Sequence, residues 1–286
     1  MEIGIGLPST IPGACAAQIL QWATAAEEHG FSSLGVIDRL VYGNDEPLVT
    51  LGAAAAVTQR IKLMTSVLVA PLCTNAALLA KQAATVNHLS NGRLVLGMAV
   101  GGYEDDYVAS GVPFSERGRR FDQMLDEMTR IWTAASEGAT GSIGPAPGLK
   151  RSQIVIGGHS SRAYARTATF GAGWIAGSRG VEAFRRGVKG VRQAWVEHGR
   201  DGAPRLIALP YFSLGRERGS TPGVSHRSLR GRGTGRRARP SAELRFPGAS
   251  AGRRRGVVGG VPVRPRSLWP TSLQSAIMAR RRWSTR

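Results

Sequence analysis

The chain reads as an α/β protein whose parallel strands are joined by crossover helices, followed by a strongly basic tail. Three observations predict this. Short apolar segments alternate with longer helical patterns through residue 214, the rhythm of βα units. Gly and Pro stand at the joints between them. Charge divides sharply: residues 1–215 hold 20 Lys plus Arg against 17 Asp plus Glu, whereas residues 216–286 hold 18 Arg against Glu217 and Glu243, within a formal net charge of +19.

Ile3 to Leu7 is the first predicted strand, ended by Pro8. Residues 14–29 carry Ile19, Leu20, Ala23 and Ala26 at helical spacing, and Gly30 stands where a C-terminal cap belongs. Residues 33–37 form the second strand, 47–59 a helix, and 61–69, rich in β-branched residues, the third strand. A helix over 76–89 leads to a fourth strand over 94–100, and a long amphipathic helix over 116–135 follows Pro113. The Gly- and Pro-rich stretch 138–148 is a loop. Strands over 154–156, 173–176 and 205–214 alternate with helices over 161–170 and 181–198. Seven strands result, one βα unit short of eight.

Cys15 and Cys73 give neither a disulfide framework nor a zinc-ligand spacing, which fits a reducing cytosol and does not point to metal chemistry. The N-terminus lacks the basic start and apolar stretch of a signal peptide, and no window is apolar enough to span a bilayer. A soluble, cytoplasmic protein is expected. Beyond Gly215 the βα rhythm stops: six Pro, Arg236-Arg237 and Arg253-Arg254-Arg255 occur without an amphipathic period, so 215–286 reads as a disordered tail. Eighteen Arg without one Lys suggest a frame-shifted C-terminal tail read from GC-rich coding DNA.

Ordered segments carry a family likeness: GIGLP at Gly4–Pro8, GFSSLGVID at Gly30–Asp38, QRIKLMTSVL at Gln59–Leu68, LAKQAATV at Leu79–Val86, LSNGRL at Leu89–Leu94, GVPF at Gly111–Phe114, ERGRRF at Glu116–Phe121 and IVIGG at Ile154–Gly158. Together, over about 214 residues, they resemble the luciferase-like monooxygenase family of flavin- and deazaflavin-dependent oxidoreductases. The resemblance implies a (β/α)8 TIM-barrel working at the C-terminal ends of its strands, and the count of seven strands leaves that barrel incomplete at its eighth unit. It implies FMN or the deazaflavin coenzyme F-420 as cofactor, and a small organic substrate attacked by hydride transfer or dioxygen activation.

Candidate site residues follow the strands. Gly157-Gly158-His159-Ser160-Ser161-Arg162 ends the fifth strand and opens a helix, so free backbone N–H groups, the helix dipole, hydroxyls and a guanidinium could face a cofactor phosphate. The plainer alternative is a tight turn with a Ser cap. By resemblance, Ser66-Val67-Leu68 holds a non-prolyl cis peptide against the cofactor ring. Asp38 resembles an acidic position near the ring, but Arg39 stands where the family's dehydrogenases carry His; a guanidinium is no base near neutral pH, which disfavours a sugar-phosphate dehydrogenase. An Asp38–Arg39 ion pair at the rim is the alternative. In the loop Gly101 to Tyr107, Glu104 is the candidate for direct chemistry, with Tyr107 also within possible reach and a solvated helix start as the alternative. His29, His88 and His198 read as surface or packing residues.

With FMN, reduced flavin would arrive from a separate reductase, since no NAD(P)H fingerprint is present; a homodimer is compatible with the family. Two rivals remain open. One is a catalytically inactive remnant, because losing the eighth unit leaves two unpaired strand edges. The other is a protein that adheres to nucleic acid nonspecifically through its basic tail, which lacks a stacking platform of aromatic residues.

Overall fold

The computed structural model describes residues 1–11, 13–133 and 143–210. The tail over 215–286, its boundary and the frame-shift reading lie outside the described residues, as do the far ends of the helix expected to 135 and the strand expected to 214.

Strands β1 (Ile5–Gly6), β2 (Ser33–Val36), β3 (Lys62–Thr65), β4 (Leu68–Val69), β5 (Leu94–Ala99), β6 (Ile154–Gly157), β7 (Gly173–Ala176) and β8 (Arg205–Ala208) all pair in parallel. Their order is β1-β2-β3-β5-β6-β7-β8, with β4 added beside β5. Parallel neighbours require crossovers, and helices supply them: α1 (Ala16–Glu28), α2 (Pro47–Ala56), α3 (Ala76–Leu89), α4 (Glu104–Ser110), α5 (Arg117–Thr133), α6 (Ser161–Phe170) and α7 (Val181–Glu197).

The sheet curls like a barrel wall. Glu2, just before β1, binds Lys62 of β3 at 3.1 Å and Arg205 of β8 at 3.2 Å, although β1 and β8 stand at opposite ends of the strand order. Among the described residues no strand joins those two edges. Its inner face is a layer of Met64, Val95, Val155 and Ile175, one from each successive strand, with Val67 and Ile207 packed against it. Side chains of opposite parity face the helices: Trp174 is fully buried among Val191, Tyr164 and Phe184.

The N-terminal ends of the strands are built for stability. Arg93 donates to Ser90 O, Thr58 Oγ1, Ile61 O, Ala55 O and Thr58 O, and Glu27 accepts the N–H groups of Gln59, Arg60 and Ile61. His29 and His198 cap helix ends through Nδ1 contacts to Ala25 O and Ala194 O, both at 2.8 Å, in keeping with packing roles.

Three expectations change. The first strand is shorter, Ile5–Gly6, and the expected third strand divides into β3 and β4, at the cis peptide between Ser66 and Val67 that the family resemblance implies. Also, α4 occupies 104–110, so of the two readings of this segment the helix start holds from Glu104 onward and the loop only over Gly101–Tyr103. This short helix forms because Asp105 and Asp106 suit a first turn, Tyr107 is drawn into the core with Val69 and Val112, and Gly111 at φ 69° ends it.

Candidate active site at the strand C-termini

The loops that follow β2, β4, β5 and β6 bring most of the sequence-predicted positions to one end of the sheet. Helix α6 begins at Ser161, with three residues between it and the end of β6, so its amino end lies at the strand C-termini. Ser160 is the N-cap, its hydroxyl accepting Ala163 N–H at 3.2 Å. Helix geometry leaves Ser161 N–H and Arg162 N–H without intrahelical acceptors, and both residues are exposed. The tight-turn alternative and the anion-site reading therefore coexist: one Ser caps the helix while other donors stay open.

The glycines before α6 have physical reasons. Gly158 adopts φ 130°, and a Cβ there would lie 2.7 Å from Ala163 Cβ. Its carbonyl accepts Trp174 Nε1–H at 2.7 Å, which anchors the turn to the core beneath. A Cβ on Gly157 would meet Ala99 Cβ at 3.2 Å and Val67 Cγ1 at 3.3 Å. Gly157 thus lies against the β3–β4 break. His159 stacks edge-on against Trp174 at 5.5 Å, and its Nε2 is buried without a partner among the described residues. Burial, aided by the nearby Arg179 charge, lowers the His159 pKa, favouring the neutral ring.

At the break, Ser66 is committed to the fold: its N–H and hydroxyl both meet Val36 O, at 2.6 and 3.0 Å. Leu68 is buried and pairs with Met98. Val67 is half-buried, so it is the member of Ser66-Val67-Leu68 with surface to offer a ligand. Close packing continues on the neighbouring strands. A Cβ on Gly35 would sit 3.0 Å from Ser66 Oγ, and one on Gly101, at φ 67°, only 2.6 Å from Val69 Cγ1.

Asp38 follows β2 and accepts Val69 N–H at 2.8 Å. Burial pushes its carboxyl up to about 6, helped by the like charges of Glu46 and Asp106 and opposed by the Val69 bond and by Arg39. The same region raises the Cys73 thiol to about 11, through burial first and then Asp38 and Glu46.

The alternative of an Asp38–Arg39 ion pair at the rim is not what forms. Arg39, 6% exposed, pairs instead with Asp106 at 2.6 Å and Asp105 at 2.9 Å, and its guanidinium lies 3.7 Å from the Tyr103 ring centroid. Asp106, 1% exposed, also accepts Leu40 N–H at 3.1 Å and Val41 N–H at 2.7 Å. Two carboxylates and an aromatic face repay the desolvation of Arg39. Sequence reasoning missed this network. The Asp105-Asp106 pair was visible, but nothing local tied it to a residue 66 or 67 positions earlier.

Glu104 lies on the exposed first turn of α4, with no hydrogen bond or ion pair among the described residues. Tyr107 is buried and donates its hydroxyl to Val100 O, which commits it to the fold; burial holds its pKa up near 12.

A cradle of close-packed glycines beside an open helix terminus, in a curled parallel sheet, invites comparison with known proteins. The model of the luciferase-like monooxygenase family matches residues 1–220. The chain belongs to that family. It is 34% identical over 173 residues to an uncharacterized protein of Mycobacterium tuberculosis, covering 57% of this chain and 61% of that one. It is also 34% identical over 125 residues to an F420-dependent glucose-6-phosphate dehydrogenase of Nakamurella multipartita, covering 41% and 37%. The chain thus spans about three fifths of the mycobacterial relative's length. Among solved structures, a monooxygenase from Streptomyces bottropensis shares the fold at a TM-score of 0.64 and 24% identity, over 76% of this chain and 73% of that one. The oxygenating constituent of 3,6-diketocamphane monooxygenase of Pseudomonas putida, in complex with FMN, does so at 0.60 and 20%, over 73% and 66%. No helix among the described residues is long and apolar enough to cross a membrane, and none of their side chains cluster as a metal site.

Proposed function

We propose that this luciferase-like chain is an oxidoreductase that binds FMN or coenzyme F-420 across the strand C-termini and acts on a small organic substrate by hydride transfer or dioxygen activation. The observation that carries the reading is the close approach of Gly157 to Val67, whose Cγ1 would lie 3.3 Å from a Cβ at position 157, which brings the proposed phosphate turn beside the proposed ring shelf. Relatives named as F420-dependent or in complex with FMN support both cofactors. When bound, the reduced ring would supply the hydride or the electrons that activate dioxygen.

This chain's residues divide the work by charge. Ser161 N–H, Arg162 N–H and the exposed Arg162 side chain hold the anionic arm at the positive end of α6, with neutral His159 and Gly158 shaping the turn. Val67 presents its half-buried face to the ring. Across the mouth, Asp38 with its carboxyl near 6 can hold a proton or release it close to neutral pH, as an acid–base group should. Arg39, engaged by two carboxylates, takes no part as a base, which weighs against sugar-phosphate oxidation. Glu104, on the exposed first turn, could meet substrate as it enters. With FMN, reduced flavin comes from a separate reductase.

The remnant reading retains one observation, the unpaired edges of β1 and β8 among the described residues. A single experiment decides between the two. Absorbance and fluorescence titrations of the full chain with FMN and with F-420 give saturable binding of one if the proposal holds; binding of neither leaves the remnant.

A further inference from the structure

We propose that Asp106 and Arg39 are positioning residues for Asp38: Asp106 ties down the backbone just after Asp38, and Arg39 locks that segment to the first turn of α4. The inference rests on the reading of Asp38 as the site's acid–base group. Its ground is a buried network spanning two loops. One carboxylate, Asp106, accepts Arg39 Nε at 2.6 Å, Leu40 N–H at 3.1 Å and Val41 N–H at 2.7 Å. Arg39 extends the lock by donating through Nη2 to both oxygens of Asp105, at 3.0 and 2.9 Å, beneath the Tyr103 ring.

Three consecutive residues after Asp38 are therefore fixed by groups from α4. From the other side, Val69 N–H, just past the cis peptide, fixes the Asp38 carboxylate itself. The carboxyl is held between the proposed ring shelf and the α4 loop, so motion of either loop would displace it. Buried charge pairs of this kind act over short range in a poorly screened setting.

The pair also sets the charge that Asp38 feels. The groups acting on it are Glu46 at the start of α2, Asp106 from α4, its neighbour Arg39, and the Val69 amide; Cys73 lies near enough to be raised by it in turn. Asp106 disfavours the Asp38 carboxylate and Arg39 favours it. In the intact pair the two oppose each other, and removing one member exposes the other's charge.

This gives a signature that loss of structure alone would not. Carboxyl-carbon NMR on aspartate-labelled full chain, with the Asp38 signal assigned by its loss in Asp38→Asn, reads the titration midpoint directly. Asp106→Asn moves the midpoint down and Arg39→Gln moves it up, each by on the order of half a pH unit or more. The double variant returns near the parent midpoint, while amide hydrogen exchange at Leu40 and Val41 stays faster than in the parent. Movement of both single variants in one direction, or of neither, overturns the proposal. Should Asp106→Asn fail to fold, Arg39→Gln carries the test alone, since Asp106 keeps its two backbone donors: an unmoved or lowered midpoint overturns it. Unchanged reoxidation of reduced FMN by dioxygen in Asp38→Asn would overturn the acid–base reading of Asp38 and with it the purpose of the lock. The two failures are distinguishable, because the carboxyl titration would still follow Arg39 and Asp106.

Discussion

Replacing Asp38 by Asn should stabilise the fold above pH 6 and fail to do so near pH 4. Burial raises the Asp38 carboxyl from an ordinary 3.8 to about 6, so between those values the folded chain holds a proton that the unfolded chain has lost. Stability then falls as pH rises through that window and levels off above it. At about 1.4 kcal/mol for each pH unit, the ionised carboxylate costs the fold roughly 3 kcal/mol at pH 8. Asn offers an oxygen to Val69 N–H but forms a weaker bond than a carboxylate, giving back about 1 kcal/mol. The net expectation is a gain of about 2 kcal/mol at pH 8 and none, or a small loss, at pH 4. Urea unfolding of both proteins at the two pH values measures it. An equal difference between variant and parent at both would refute the argument, since only a titrating group makes the difference change. A gain bought by removing a candidate catalytic group is the expected mark of a site held against stability.

Three further substitutions separate the site from its support. Gly158→Ala, at φ 130° with Ala163 Cβ 2.7 Å from the new methyl, should cost about 1–3 kcal/mol in thermal unfolding and weaken FMN or F-420 at least about tenfold. Ser160→Ala removes the α6 cap, lowering stability by about 1 kcal/mol in the same scan, with a smaller loss of cofactor affinity because Ser161 and Arg162 N–H remain. Arg93→Met strips five donated bonds from the far end of the strands and should cost about 3 kcal/mol or more in urea unfolding while leaving cofactor affinity in the surviving folded protein unchanged.

Local pattern carried most of the fold. Helices over 76–89 and 161–170 and the strand over 173–176 fall where apolar period and glycine placed them, because each element's signal lies within its own span. The third strand shows the limit: 61–69 is rich in β-branched residues on both sides of Ser66, and its division at Ser66–Val67 was expected from family likeness alone. Helix α4 was legible only as an alternative helix start at its acidic residues, because seven residues hold too few turns to show a period. At the site, the start of α6 was legible as strand, glycines, Ser cap and helix. The partners of Arg39 were not, because a pairing across 66 or 67 residues is decided by packing and leaves no mark in neighbouring sequence. Nor did sequence show that Ser66 would spend its hydroxyl on Val36 O, or Tyr107 on Val100 O, and so withdraw from the ligand.

The central claim is that one ligand spans the amino end of α6 and the shelf at Val67. Backbone amide NMR during titration of the full chain with FMN or F-420 tests it most directly. Ser161, Arg162 and Val67 amides should shift together along one saturation curve, with Arg93, at the opposite end of the strands, unmoved. Shifts confined to other loops, or α6 and Val67 responding with different midpoints, would contradict it.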